Sequence, residues 1–170
     1  MEELGRIGAD AYKAMAKKRI RVILDDVRSR HNVGAIFRTA DAFALEGIVL
    51  CGFTPVPPHR EIEKTALGAT LSVPWSQATS ATAAIQALRS EGFRIVAVEQ
   101  THGAIALADW QPSSGEAVAL VFGNELNGVS DEAIALCDAC IMIPQSGTKH
   151  SLNIAVCAGI VLWWAAGKLQ

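Results

Sequence analysis

The stretch IMIPQSGTKHSLNIAVCA, from Ile141 to Ala158, decides the fold class. An apolar strand over Ala139–Ile143 reaches Pro144, a polar loop containing Gly147 follows, and Ser151, Leu152 and Asn153 open an apolar helix that runs to about Ala166. Strand, small-residue loop and helix start together make a binding corner. The first N–H groups of a helix have no partner within it and point outward.

Working outward, the same grammar recurs. Ile20–Leu24 is a β-rich apolar run and reads as a buried strand. After the polar loop Arg28-Ser29-Arg30-His31, Asn32 is a candidate helix cap, and the helix carries Ile36, Phe37, Ala40 and Ala44 to about Leu45. Gly47 reads as its breaker and Ile48–Cys51 as the next strand, which completes a βαβ unit of the kind that builds parallel sheets. A proline-rich loop (Pro55, Pro57, Pro58) precedes a short helix over Glu61–Ala69, a short strand over Leu71–Trp75 and an alanine-rich helix over Thr79–Ser90 stopped by Gly92. Phe93–Val98 and Ala117–Phe122 are strands, residues 100–112 are irregular, and Ser130 caps a short helix. Alternating strands and helices predict a single α/β domain with a mostly parallel sheet flanked by helices. Residues 1–19 form a helical, basic extension and residues 20–170 the domain proper.

Composition sets bounds. The chain has 170 residues, enough for one domain with a full core. It is 51% hydrophobic and 19% charged, which argues against disorder and hints at an apolar surface kept for self-association. The apolar run Ile154–Gly167 is shorter than the roughly 20 residues of a membrane span, and the N-terminus lacks a basic-then-apolar signal, so a cytoplasmic protein with no membrane contact is expected. Net charge is −2, but residues 1–38 hold nine Lys/Arg against five Asp/Glu while the remainder holds six against twelve. A local phosphate-binding face and an ordinary solvated surface both fit that asymmetry. Cys137 and Cys140 form one C-x-x-C without a second ligand pair at zinc spacing, so they read as small buried hydrophobes and no metal is expected.

Two further stretches answer to the first. FGNELNGVS, Phe122–Ser130, follows a strand and precedes a helix as a phosphate loop does. Gly123 and Gly128 have the right spacing, but Val129 stands where a P-loop needs lysine, and no G-x-G-x-x-G occurs in the chain. What remains is a glycine-bounded turn bearing Asn124, Glu125 and Asn127, suited to hydrogen-bonding an adenosine or to simple turn duty. NVGAIFR, Asn32–Arg38, places an arginine inside an apolar helix face, where it either snorkels or addresses an anion. Ser151 and Asn153 fit helix capping. The adjacent His150 and Ser151 do not make a hydrolase pair, since the G-x-S-x-G elbow is absent.

Taken in order, LDDVRSRHNVGAIFRTADAF, ALVFGNELNGVS and IMIPQSGTKHSLNIAV resemble the three motifs of the SpoU-type RNA 2′-O-methyltransferases, the TrmH branch of the SPOUT superfamily. HREIEKTALGATLSVPW also has the look of that group, and the resemblance covers roughly residues 20–166. It implies an α/β fold with a deep C-terminal trefoil knot, S-adenosylmethionine held in the knot, and a homodimer whose two subunits complete each site. It implies a catalytic Arg38 that activates a ribose 2′-hydroxyl, accompanied by Asn32, Glu125, Ser151 and Asn153. It places Gly123, Asn124, Glu125, Gly128, Ile143, Pro144, Ser151 and Leu152 around the methyl donor. The RNA substrate is expected to be tRNA first and ribosomal RNA second, with Lys17, Lys18, Arg19, Arg28 and Arg30 as candidate RNA contacts. The competing expectation is a catalytically silent dimeric RNA-binding module on the same fold.

Overall fold

The structure is a computed structural model and describes residues 9–148 and 151–169. His150 and the first eight residues of the expected extension lie outside the described residues. The elements are α1 (Ala9–Ala14), β1 (Lys18–Asp25), α2 (Arg30–Ala42), β2 (Leu45–Cys51), α3 (Arg60–Ala66), α4 (Ala69–Ser72), β3 (Trp75–Ala78), α5 (Ala81–Ser90), β4 (Arg94–Val98), β5 (Ile105–Ala106), β6 (Val118–Phe122), α6 (Asp131–Ile134), β7 (Ala139–Met142) and α7 (Ile154–Lys168).

Among the described residues seven strands form one sheet in the order β3-β2-β1-β6-β4-β7-β5, each pairing parallel. Both faces are covered, so the central strands are apolar throughout rather than alternating. Ile20, Val22 and Leu24 of β1 face a core shared with α2, α3 and α7, while Ile23 turns to the opposite core against α5 and α6. β6 divides its residues likewise, Leu120 and Phe122 to the first core, Ala119 and Val121 to the second. Because all strands run the same way, the segments after β1, β4, β6 and β7 emerge at one edge of the sheet. β6 is inserted between β1 and β4, where the strand order reverses, and such a reversal is where open α/β sheets bind ligands.

Four local expectations are corrected. Ser29, not Asn32, caps α2, its hydroxyl accepting the Asn32 backbone N–H at 3.3 Å. Gly47 does not break a helix. It lies inside β2, because α2 ends at Ala42 and the chain reverses through Ala44 at φ 52°. A Cβ at Gly47 would collide with the Pro74 carbonyl, and that close approach is why glycine stands there. Leu71 sits in α4, and the short strand is Trp75–Ala78 rather than Leu71–Trp75. The expected helix Glu61–Ala69 is two pieces, parted by Leu67 at φ 51° and Gly68 at φ 91°. Among the described residues no helix is long and apolar enough to cross a membrane.

Candidate functional site

Glu125 joins the three sequence stretches. Its Oε2 accepts the Arg28 backbone N–H at 2.9 Å, and its Oε1 accepts the Ser29 N–H at 3.0 Å and the Asn32 side-chain amide at 3.0 Å. An acidic side chain at the start of α2 also meets the positive end of the helix dipole. Burial by itself raises the Glu125 pKa; the Arg28 and Ser29 N–H groups and the Asn32 amide outweigh it and hold the carboxyl below its usual value. Asn32 Oδ1 accepts the Asn153 side-chain amide at 3.2 Å. Asn153 in turn caps α7, its Oδ1 accepting Ala155 N–H at 2.9 Å and Val156 N–H at 3.3 Å. One chain of hydrogen bonds thus runs from the 123–129 loop through the start of α2 to the start of α7.

The loop itself is a closed turn. Asn124 and Gly128 exchange two main-chain hydrogen bonds of 2.9 Å, and the buried Asn124 side chain donates to Asp26 O at 2.7 Å while accepting Leu126 N–H and Asn127 N–H. Gly128 has φ 72°, and a Cβ at Gly123 would collide with the backbone of Gly128 and Val129. Only glycine fits either place without moving the loop.

Beside this turn lies a cavity of about 500 Å³. Gly123, Asn124, Glu125, Gly128, Ile143, Ser151 and Leu152, all expected around a ligand, line it, as does Asn153. Pro144, Asn32 and Arg38 are not in its wall. Arg38 is exposed on α2 and makes no hydrogen bond or ion pair among the described residues. The cavity also takes Val98, Glu99 and Gln100 from the end of β4, which no motif marked. The signal that finds them is general: a strong apolar strand ending in polar residues, at the edge where parallel sheets bind ligands.

The candidate RNA contacts separate. Arg28 and Arg30 stand at the site edge, Arg30 within 3.7 Å of Glu61. Lys17, Lys18 and Arg19 stand at the other end of β1, roughly 20 Å away along the strand, and are engaged there: Lys17 with Tyr12, Lys18 with the Ala166 carbonyl, Arg19 with Glu46. Cys137 and Cys140 are free thiols that donate to the Ala133 and Glu99 carbonyls, and burial pushes Cys137 up to about 11. Among the described residues no group of three or more His, Cys, Asp or Glu is arranged to hold a metal ion.

An α/β sheet with a hydrogen-bonded polar corner at its carboxyl edge is the frame of a ligand-binding domain. The chain belongs to the SpoU rRNA Methylase family, whose model matches residues 19–163. It is 33% identical over 144 residues to the 23S rRNA (guanosine-2′-O-)-methyltransferase RlmB of Shewanella oneidensis, covering 85% of this chain and 57% of that protein. The AdoMet-bound rRNA methyltransferase of Sinorhizobium meliloti superposes with a TM-score of 0.83 at 32% identity, over 95% of this chain and 60% of that one. A protein whose structure concerns 2-OH methylation of C/U34 on tRNA superposes with a TM-score of 0.75 at 25% identity, over 88% of this chain and 95% of that one. The chain spans about three-fifths of the length of most curated relatives it matches.

Proposed function

We propose that the chain is an S-adenosylmethionine-dependent RNA methyltransferase acting on a ribose 2′-hydroxyl, with tRNA as the first substrate to test and ribosomal RNA the second. The observation that carries this reading is the hydrogen-bonded chain Glu125–Asn32–Asn153 beside the cavity. Relatives named for ribosomal RNA 2′-O-methylation support the reaction. The neighbour matched over nearly its whole length, whose structure concerns tRNA, supports the order of substrates.

The cavity fits an adenosyl ligand. Its volume lies in the range of small-molecule sites, and its wall sets Val98, Phe122, Ile143 and Ile154 beside Gln100, Gln145 and the main chain of the glycine-bounded turn. Gly123, Asn124, Glu125, Gly128, Ile143, Ser151 and Leu152 would hold the methyl donor, with Pro144 flanking Ile143. When bound, the donor supplies an electrophilic methyl group on a sulfonium. The protein's part is to bring a ribose hydroxyl into line and to manage its charge. In this reading Glu125 fixes the start of α2, Asn32 and Asn153 hold the acceptor side, and Ser151 lines the approach. Arg38 orients the hydroxyl, steadies the developing oxyanion or takes the proton; an ordinary guanidinium is a poor base, which favours the first two. Arg28 and Arg30 lie where phosphates of the bound RNA would pass.

Arg38 lies outside the cavity wall of its own subunit, so the reading includes a homodimer. Leu152, Val156, Ile160 and Trp163 are exposed in series at the start and along one side of α7. A second copy would cover them. The reading further includes a trefoil knot formed as the chain from β6 to α7 passes through itself, and a cytoplasmic setting where RNA is available.

Transfer of a labelled methyl group from S-adenosylmethionine to unmodified tRNA and to ribosomal RNA tests the proposal, with Arg38→Ala alongside. Label in one pool, mapped to a ribose 2′-oxygen and lost in the variant, is the expected result. Donor binding without label in either pool points to a different RNA or a missing partner; no label and no donor binding favours the silent RNA-binding module.

A further inference from the structure

We infer that Glu99 holds the ribose of the bound adenosyl ligand, its carboxylate accepting hydrogen bonds from the two vicinal hydroxyls; the inference rests on the donor-binding reading above. Glu99 is the first residue past β4, and its backbone is tied to β7 on both sides. Its N–H donates to Ile141 O at 3.0 Å, and the Cys140 thiol donates to its carbonyl at 3.3 Å. Its side chain lines the cavity and is held by two main-chain donors, Gln100 N–H on Oε1 at 2.8 Å and Val129 N–H on Oε2 at 3.0 Å.

A carboxylate has about four lone-pair positions. Each Glu99 oxygen therefore keeps one acceptor site after these bonds. Glu125, the other carboxylate in the wall, already serves three donors. Among the described lining residues no Lys, Arg or His faces Glu99 to absorb its charge. A partly buried carboxylate with spare acceptors and no cation beside it calls for donors from the ligand. Its two oxygens, fixed in one plane against the turn, match two neighbouring hydroxyls better than a single donor.

Two neighbouring features fit. A Cβ at Gly128 would collide with the Glu99 carboxylate, so the loop and this side chain are built around each other. The Cys157 thiol, also in the wall, is pushed up to about 11 by burial and by the Glu99 charge. It stays a neutral neighbour and does not compete for the carboxylate as a cation would.

Calorimetric titration of S-adenosylhomocysteine and its 2′-deoxy and 3′-deoxy analogues into the wild-type protein and into Glu99→Ala tests the inference. The wild type is expected to bind each deoxy analogue about tenfold or more weakly, the worth of one hydrogen bond to a charged group. In Glu99→Ala the three ligands are expected to bind alike. Equal affinity for all three in the wild type overturns the inference, and so does a deoxy penalty that persists undiminished in the variant. The wild-type comparison stands by itself if the variant does not fold. S-adenosylhomocysteine failing to bind the wild type is a different result, and it removes the donor-binding reading itself together with the inference.

Discussion

Asn32 donates its side-chain amide to Glu125 Oε1 at 3.0 Å, a bond that spans 93 positions of sequence. The same side chain accepts from Asn153, 121 positions further on. A residue that reads in sequence as a helix cap serves instead as the hinge pin between a loop and two helix starts. Ser29, three positions earlier, does the capping.

The lowered pKa of Glu125 has a consequence for acid stability. A carboxyl whose folded-state pKa is depressed stabilises the fold above its ordinary value, and that contribution is lost as pH falls through the lower folded value. Glu125→Gln is expected to cost about 1 kcal/mol at neutral pH, a modest figure because the group is exposed. The gap from wild type should close below about pH 4.5, where the native carboxyl also protonates. Thermal melts of both proteins from pH 7 to pH 3 check this. A gap that stays constant across that range would rule out a charge effect.

Gly128 and Gly92 make a matched pair. Both have positive φ, 72° and 85°, but a Cβ at Gly92 meets nothing within 4 Å, whereas one at Gly128 strikes Glu99. Each alanine substitution should cost about 1–2 kcal/mol for left-handed backbone, a fall in Tm of several degrees at this chain length. Only Gly128→Ala should also weaken binding of S-adenosylhomocysteine, by about tenfold, because only there must the cavity wall shift. Equal ligand affinity in the two variants would count against the turn as part of the binding site.

Asn153 does two tasks that a pair of substitutions can part. Asn153→Ala loses the α7 cap and should destabilise the protein by about 1 kcal/mol. Asn153→Asp keeps an oxygen for the Ala155 and Val156 N–H groups but loses the amide that Asn32 accepts. The aspartate variant should melt near the wild-type temperature and still lose most methyl transfer, if the network serves the reaction. Wild-type activity in Asn153→Asp would reduce the residue to a cap.

How far these features were legible in the sequence follows from what kind of signal each leaves. The parallel α/β sheet and the meeting of the three stretches were readable, because strand-loop-helix alternation and ordered motifs are local patterns. The insertion of β6 between β1 and β4 was not, since no local pattern records which strands pair. Leu71–Trp75 misled because a short apolar run fits a strand or a buried helix turn equally. Lys17, Lys18 and Arg19 were grouped with Arg28 and Arg30 by charge, yet β1 carries them to the far edge of the sheet. Glu99 left no signal beyond its place at a strand end.

The exposed series on α7 bears on assembly. Val156, Ile160 and Trp163 are 52%, 38% and 63% exposed at spacings of four and three, so they share one side of the helix, with Leu152 just ahead of its start. The opposite side, with Ala158, Val161, Leu162 and Ala165, is buried in the core. Three large apolar groups in series on one helix, with a fourth just ahead of it, resemble a protein interface more than an ordinary surface. If a second copy covers them, the wild type should run at twice 18.0 kDa by light scattering. Val156→Glu combined with Trp163→Glu should run as a monomer with an unchanged circular dichroism spectrum, since neither side chain is in the core. The monomer should bind S-adenosylhomocysteine, unless the partner also closes the cavity, and should lose methyl transfer with Arg38 intact. A wild type that runs at 18.0 kDa would remove the interface and with it the reason for placing Arg38 at a shared site, and a doubly charged variant that remains dimeric would move the interface away from this side of α7.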